Sequence, residues 1–189
     1  MSQGETSQAS QREGGFPAMP ATVSRKWEIA GDYFVEVWFP IEKDKDGYPK
    51  SKNWEQLLAR PLLESEDYFQ IESVPFFLKN VSRGDVIQAR LVCNPEISDQ
   101  EVFCFDRIVD RGGHNTYRLL LRKKRPGDPQ ETVAELMQKG LVVENEGDFI
   151  AIDVPPSVDQ KAVDEYLVAE TRAGRWEMQD GCLQTIATQ

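Results

Sequence analysis

The sequence predicts an α+β fold in which a small, partly open, SH3-like β-barrel precedes a ferredoxin-like sandwich. From Tyr117 to Leu183 the pattern runs strand, helix, strand, strand, helix, strand, which is the split βαβ order of such a sandwich. Before Tyr117, short β-branched and aromatic runs alternate with turn-forming residues, as in successive strands. The predicted parts are a disordered tail at 1–26, a barrel-like half at 27–115, an α+β half at 116–183 and a tail at 184–189.

The strands expected ahead of the first helix are short and separated by Pro or Gly. They are Tyr33 to Phe39, Tyr68 to Val74, Asp85 to Cys93, Glu101 to Val109 and Thr116 to Leu121. A further segment, Glu55 to Leu63, has leucines that would suit a short helix, but Arg60-Pro61 interrupts a long one, so we favour a strand. Such strands would curl into the barrel, and Thr116 to Leu121 would both end it and begin the sandwich.

The first helix of the sandwich is marked at both ends. Asp128 is expected to cap it, with Pro129 at the first helical position and Glu131 completing a capping box. Apolar residues at helical spacing follow, namely Val133, Leu136 and Met137. Gly140 can supply the left-handed residue that ends the helix.

The second helix repeats these signals after a predicted hairpin. Leu141 to Glu144 and Phe149 to Val154 read as two strands joined by a turn at 145–148. Ser157 and Gln160 form the expected capping box, and Gly174 ends the helix before the last strand at Trp176. The apolar stripe of this helix consists of Val163, Tyr166 and Leu167.

Composition restricts the location and the partners of the protein. The formal net charge of −10 disfavours general nucleic-acid binding, because phosphate neutralisation supplies most of that affinity. The sequence has neither a long apolar stretch nor a secretory signal, so we expect a cytoplasmic protein that is not inserted in a membrane. Three cysteines, Cys93, Cys104 and Cys182, lie in apolar strand contexts and are expected to be buried, reduced thiols.

One basic stretch stands out in this acidic chain, between 107 and 125. The arginines Arg107, Arg111 and Arg118 surround His114, and these four residues form the candidate site for an anionic ligand. Two alternatives remain: 122–125 is also typical of a solvated loop, and Gly112-Gly113-His114-Asn115 of a hairpin tip whose glycines take positive φ.

The sequence gives no sign of a catalytic or metal site. A relay of Cys104, His114 and Asp106 can be written, but nothing brings His114 within hydrogen-bond reach of the other two. With one histidine in the chain and no phosphate-binding glycine loop, we expect no cofactor, no metal and no enzymatic activity. Carboxylate-based acid and base catalysis remains open.

Several strings taken together resemble the bacterial family catalogued as domain of unknown function 4265. They are Glu66 to Phe77, Gly84 to Val86, Gly113 to Arg118, Ala151 to Pro156 and Gly174 to Glu177. The resemblance extends from about Trp27 to Cys182 and implies the two-part fold and a bacterial cytoplasmic origin. It implies no activity. The string from Gly113 to Arg118 is the favoured functional locus, because its polar residues exceed what a turn requires.

Three classes of function follow from these observations. The first is a non-enzymatic interaction protein, for example an immunity or antitoxin-like protein, whose acidic surface binds a cationic protein partner. The second is a sensor of a small anionic ligand or nucleotide at the junction of barrel and sandwich. The third, an enzyme of unrecognised type, has the least support because no catalytic signature is present.

Overall fold

The computed structural model describes residues 27–41, 54–93, 97–122 and 129–184. The predicted tail at 1–26, the predicted tail at 184–189 except for Gln184, and the predicted cap at Asp128 lie outside these ranges. In chain order the elements are β1 (Val35–Pro40), β2 (Trp54–Leu62), β3 (Ser65–Ile71), β4 (Val86–Cys93), β5 (Glu101–Asp110), β6 (Asn115–Leu121), α1 (Pro129–Gln138), β7 (Val142–Glu146), β8 (Phe149–Val154), α2 (Gln160–Arg172) and β9 (Trp176–Asp180). The fold is therefore α+β, as predicted. Neither described helix is long and apolar enough to cross a membrane.

The first sheet contains β1 to β5 and closes on itself. β1 pairs antiparallel with β2 and parallel with β5. The pairing of β1 with β5 joins the two ends of the sheet, so the first sheet is closed, whereas the sequence predicted a partly open barrel. β2 confirms the strand favoured over a helix at 55–63, and its Pro61 lies where the register with β3 shifts. The interior is filled by alternate residues of the strands, including Val37, Phe39, Leu57, Ala59, Phe69, Ile71, Ile87 and Ala89.

The second sheet has the strand order β7-β8-β6-β9, and all its pairs are antiparallel. β6 belongs to this sheet alone, so the prediction that Thr116 to Leu121 also ends the barrel is wrong. The ring of the first sheet is already completed by the pairing of β1 with β5. Both helices pack on one face of the second sheet, around a core of Tyr117, Leu119, Leu136, Leu141, Ile150, Ile152, Val154, Val163, Leu167 and Trp176.

The opposite face of the second sheet lies against the connection between β3 and β4, residues 72–85. Phe76 and Phe77 contact the ring of Phe149 on β8, with centroid separations of 5.5 and 6.0 Å. The Val74 N–H donates to the Glu144 carboxylate on β7 at 2.8 Å. This connection therefore attaches the first sheet to the second.

Two local predictions need correction. The N-cap of α2 is Asp159, whose side chain accepts from the Ala162 N–H, rather than Ser157. The Val158 N–H donates to the Pro155 carbonyl, so Ser157 lies in a turn before the helix begins. Among the cysteines, Cys182 is buried and Cys104 is partly buried, but Cys93 is exposed at the end of β4.

Neighbouring leucines on β6 test the register of the second sheet. Leu119 is fully buried in the core, whereas Leu120 points to the other face and is 47% exposed. Because a large-to-small change in a core leaves a cavity, Leu119→Ala should lower the free energy of unfolding by about 2–5 kcal/mol. Leu120→Ala should lower it by less than about 1 kcal/mol. Urea denaturation of both variants measures the difference, and equal losses would contradict this register.

Candidate functional site

The predicted site lies where the chain passes from the first sheet to the second. β5 and β6 belong to different sheets, so residues 111–114 connect two sheets, and the hairpin-tip interpretation is wrong. Gly113 has a φ of +75°, a left-handed value that favours glycine. A Cβ on Gly112 would lie 2.4 Å from the Gly84 carbonyl carbon, so glycine is needed there for close approach of two backbones.

Asp85 is the centre of this junction and is fully buried. One carboxylate oxygen accepts from the Gly112 N–H at 3.0 Å and from the Gln184 side-chain amide at 2.6 Å. The other accepts from the Ser82 N–H at 3.0 Å and from the Arg111 guanidinium at 2.9 Å. Four donors from three separate segments thus compensate for the desolvation of one carboxylate. We call Asp85 and its four donors the junction network.

His114 forms a second carboxylate pair beside the junction network. Its Nδ1 lies 2.9 Å from each oxygen of Asp153, a fully buried residue of β8. Its ring also packs against the 82–85 turn, because a Cβ on Gly84 would lie 2.7 Å from the His114 Cδ2. The imidazole is therefore held between the turn and the second sheet.

The residues from 181 to 184 also bind at the junction. The Thr116 N–H donates to the Cys182 carbonyl, and the Gly181 N–H donates to the Thr116 carbonyl, both at 2.8 Å. The Gln184 side-chain carbonyl accepts from the Gly113 N–H at 2.7 Å while its amide donates to Asp85. Both the carbonyl oxygen and the NH2 group of the Gln184 side chain are therefore hydrogen-bonded at the junction.

Arg118 lies deeper in the interior and away from the other candidates. It is buried, and its guanidinium donates to the Leu78 carbonyl in the β3–β4 connection. Nearby, Glu55 accepts from the backbone N–H groups of Phe76, Phe77 and Leu78. Burial raises the pKa of Glu55, although these three donors and the charge of Arg118 act in the opposite direction.

The four predicted ligand residues are thus only partly brought together. Arg111 and His114 both lie at the 82–85 turn, Arg118 contacts Leu78 in the interior, and Arg107 is exposed on β5 opposite Gln88. Arg111 contacts Asp85 through Nη1, and His114 contacts Asp153 through Nδ1. Within the described residues, no group of three or more His, Cys, Asp or Glu side chains is placed to hold a metal ion.

Sequence reasoning missed the carboxylates that determine this arrangement. Asp85 and Asp153 both occur in strings that suggested strand starts and packing alone. The available signal was an acidic residue inside the apolar run from Ile150 to Val154, since a carboxylate at a buried strand position requires a partner. Gln184 carried no signal, because its partners are up to 99 residues away.

A second candidate lies on the outside of the first sheet, around β1 and the β2–β3 hairpin. Six carboxylates are exposed there, and we call them the acidic surface: Glu28, Asp32, Glu36, Glu64, Glu66 and Asp67. Arg60 is the one basic residue among the described positions up to 67, and it pairs with Glu72 at 3.1 Å and Asp32 at 3.7 Å. Apart from Asp32, no carboxylate of the acidic surface has a basic partner within these two stretches.

Exposed apolar residues share this part of the molecule. Of the nine large hydrophobic side chains exposed among the described residues, five form what we call the apolar patch: Ile29, Tyr33, Phe34, Leu58 and Leu63. Backbone hydrogen bonds hold the two stretches side by side, from Leu63 N–H to Glu28 O and from Ala30 N–H to Pro61 O, each 2.9 Å. The acidic surface and the apolar patch are thus interleaved on neighbouring segments.

Replacing the central carboxylate tests the junction network. Asp85→Asn removes the charge that pairs with Arg111 and one of two acceptor oxygens, so the free energy of unfolding should fall by about 3 kcal/mol or more. Asp106→Asn is the matched control, because Asp106 pairs with the exposed Arg90 and should cost less than about 1 kcal/mol. Urea denaturation of both variants at neutral pH measures this, and a loss for Asp85→Asn no larger than the control would contradict the role of Asp85.

Comparisons with known proteins place the chain in a family. The family model described as "Domain of unknown function (DUF4265)" matches residues 55–178, which is more than half of the 189 residues. No curated protein matches. A solved structure, described as "Novel crystal structure of a hypothetical protein from Neisseria gonorrhoeae", is similar with a TM-score of 0.59 and 14% identity. The match covers 82% of this chain and 99% of that one, and at this identity it shows a shared fold alone.

The residues matched by the family model run from Glu55 on β2 to Met178 on β9 and include Asp85, His114 and Asp153. The chain belongs to the DUF4265 family.

Proposed function

We propose that the protein is a non-enzymatic interaction protein that binds a cationic protein partner through its acidic surface. The observation that carries this proposal is the charge imbalance at the described positions 27–41 and 54–67. Six carboxylates are exposed there, and the single basic residue, Arg60, pairs with one of them, Asp32, and with Glu72, which also binds Arg83. A surface of one sign attracts an oppositely charged partner and accelerates its encounter.

The arrangement of charge inside the protein supports the same function. The Arg111 guanidinium forms an ion pair with the buried carboxylate of Asp85, so this cation balances an interior charge rather than an exposed one. An immunity or antitoxin-like protein that blocks a cationic toxin is one role of this kind. A cytoplasmic location fits it and is part of the proposal.

The alternative function, a sensor of a small anionic ligand at the junction, has less support. Its proposed ligands Arg107, Arg111, His114 and Arg118 do not share one surface, and Arg111 and His114 already contact carboxylates.

We further assign the first sheet to the SH3-like barrels and the second unit to the ferredoxin-like sandwiches. The closed ring of five short strands supports the first assignment. The order β7-β8-β6-β9 with two helices on one face supports the second.

Charge reversal on the acidic surface tests the proposal. The variant Glu36→Lys, Glu66→Lys, Asp67→Lys changes three exposed carboxylates that have no ion pair among the described contacts. The control variant Glu131→Lys, Glu146→Lys, Asp180→Lys makes the same change in net charge on the second unit. Affinity capture from the native host, followed by mass spectrometry, compares both variants with the unmodified chain.

We expect the unmodified chain and the control variant to retain a basic protein in stoichiometric amounts. The acidic-surface variant should not retain this basic protein. The unmodified chain should release it when the salt concentration is raised to about 0.5 M, because charges are then screened within a few ångströms. Failure to capture any protein, or equal retention by both variants, would contradict the proposed function.

A further inference from the structure

The apolar patch adds a second kind of contact to the acidic surface. Leu58 lies on the outward face of β2, because it pairs with the exposed Glu36 while the neighbouring pair Val37 and Leu57 points into the core, and Phe34 lies just before β1. Both side chains are almost half exposed, Phe34 at 48% and Leu58 at 44%. Scattered single apolar residues are ordinary on protein surfaces, but five of the nine exposed at described positions lie on one pair of hydrogen-bonded segments.

Arg60 fixes the orientation of the Phe34 ring and leaves almost half of that side chain exposed. Its guanidinium lies 4.7 Å from the centre of the Phe34 ring and is bound on its other sides by Asp32 and Glu72. One face of the ring is therefore fixed and the side chain remains almost half exposed. A preordered aromatic side chain loses little conformational freedom when a partner packs on it.

The spacing of the two anchors matches a helix. Continuing the register past the pair of Val35 and Ala59 places Phe34 opposite Arg60 and diagonal to Leu58, in agreement with the position of the Arg60 guanidinium over the Phe34 ring. Diagonal neighbours in a sheet lie about 7–8 Å apart or less, and apolar side chains at i and i+4 of a helix lie about 5–6 Å apart. A helix with such a stripe can therefore contact both.

We infer that the acidic surface and the apolar patch together bind a basic amphipathic helix, with Phe34 and Leu58 as the apolar anchors. This inference rests on the proposed function and specifies its partner. The carboxylates around the patch, including Asp32 and Glu36, face the lysines and arginines that flank the apolar stripe of such a helix. A second copy of this chain would instead bring like charges together, which is unfavourable.

Two designed peptides test the inference on the full chain. The first, about 16 residues long, places Leu at i, i+3, i+4 and i+7 with Lys at most other positions. The second replaces each Leu by Ala, which keeps the charge and the helix propensity. Isothermal titration calorimetry gives both affinities at low salt, and sedimentation of the free protein reports self-association.

The Leu peptide should bind at least about tenfold more tightly than the Ala peptide, because only it can bury apolar surface against the anchors. Phe34→Ser with Leu58→Ser should abolish that difference. The control variant Leu120→Ser with Met137→Ser, which changes exposed apolar residues elsewhere, should keep it.

The outcomes separate this inference from the proposed function. Equal binding of the two peptides, or a difference that survives Phe34→Ser with Leu58→Ser, overturns the inference and leaves the electrostatic proposal standing. The proposed function is overturned as well if the variant Glu36→Lys, Glu66→Lys, Asp67→Lys binds the peptides as tightly as the unmodified chain does. It is also overturned if neither peptide binds. A dimer of the free protein that depends on Phe34 and Leu58 would identify a second copy as the occupant and overturn the inference.

Discussion

The buried carboxylate of Asp85 is the constraint on which the rest of the structure depends. It is fully removed from water, so it must be satisfied by protein donors, and these come from the 82–85 turn, the β5–β6 connection and the residues near Gln184. Each of these segments also contacts the second sheet, through Thr116, Asp153 or Asn115. Satisfying one carboxylate therefore fixes the position of the first sheet relative to the second.

The same pairing explains where the negative charge of the protein is found. The interior carboxylates Asp85 and Asp153 are matched by Arg111 and His114, and Glu55 by three backbone N–H groups. The acidic surface on β1 and the β2–β3 hairpin consists of exposed side chains, and at the described positions 27–41 and 54–67 its six carboxylates accompany a single basic residue, Arg60. Buried pairs thus serve the architecture, while the exposed charges are available for recognition.

Local sequence signals predicted most of the secondary structure, and long-range contacts account for what they missed. The interruption of 55–63 by Arg60-Pro61 and the apolar stripes of both helices were sufficient, because each depends on neighbours within a few residues. The interpretation of 112–115 as a hairpin tip failed, because glycine there serves a close approach to Gly84, which is distant in sequence. Of the predicted site, Arg111 and His114 were found together at the 82–85 turn, but their carboxylate partners could not be foreseen without the topology.

If the junction network unites the two sheets, they should unfold together. Urea denaturation followed by methyl NMR signals measures each sheet separately, with Ile71 and Ile87 reporting on the first core and Ile150 and Ile152 on the second. We predict a single transition with coincident midpoints for all four methyl groups, as expected for one cooperative unit. Separate midpoints for the two pairs would show that the sheets are independent domains and would contradict the central role of Asp85.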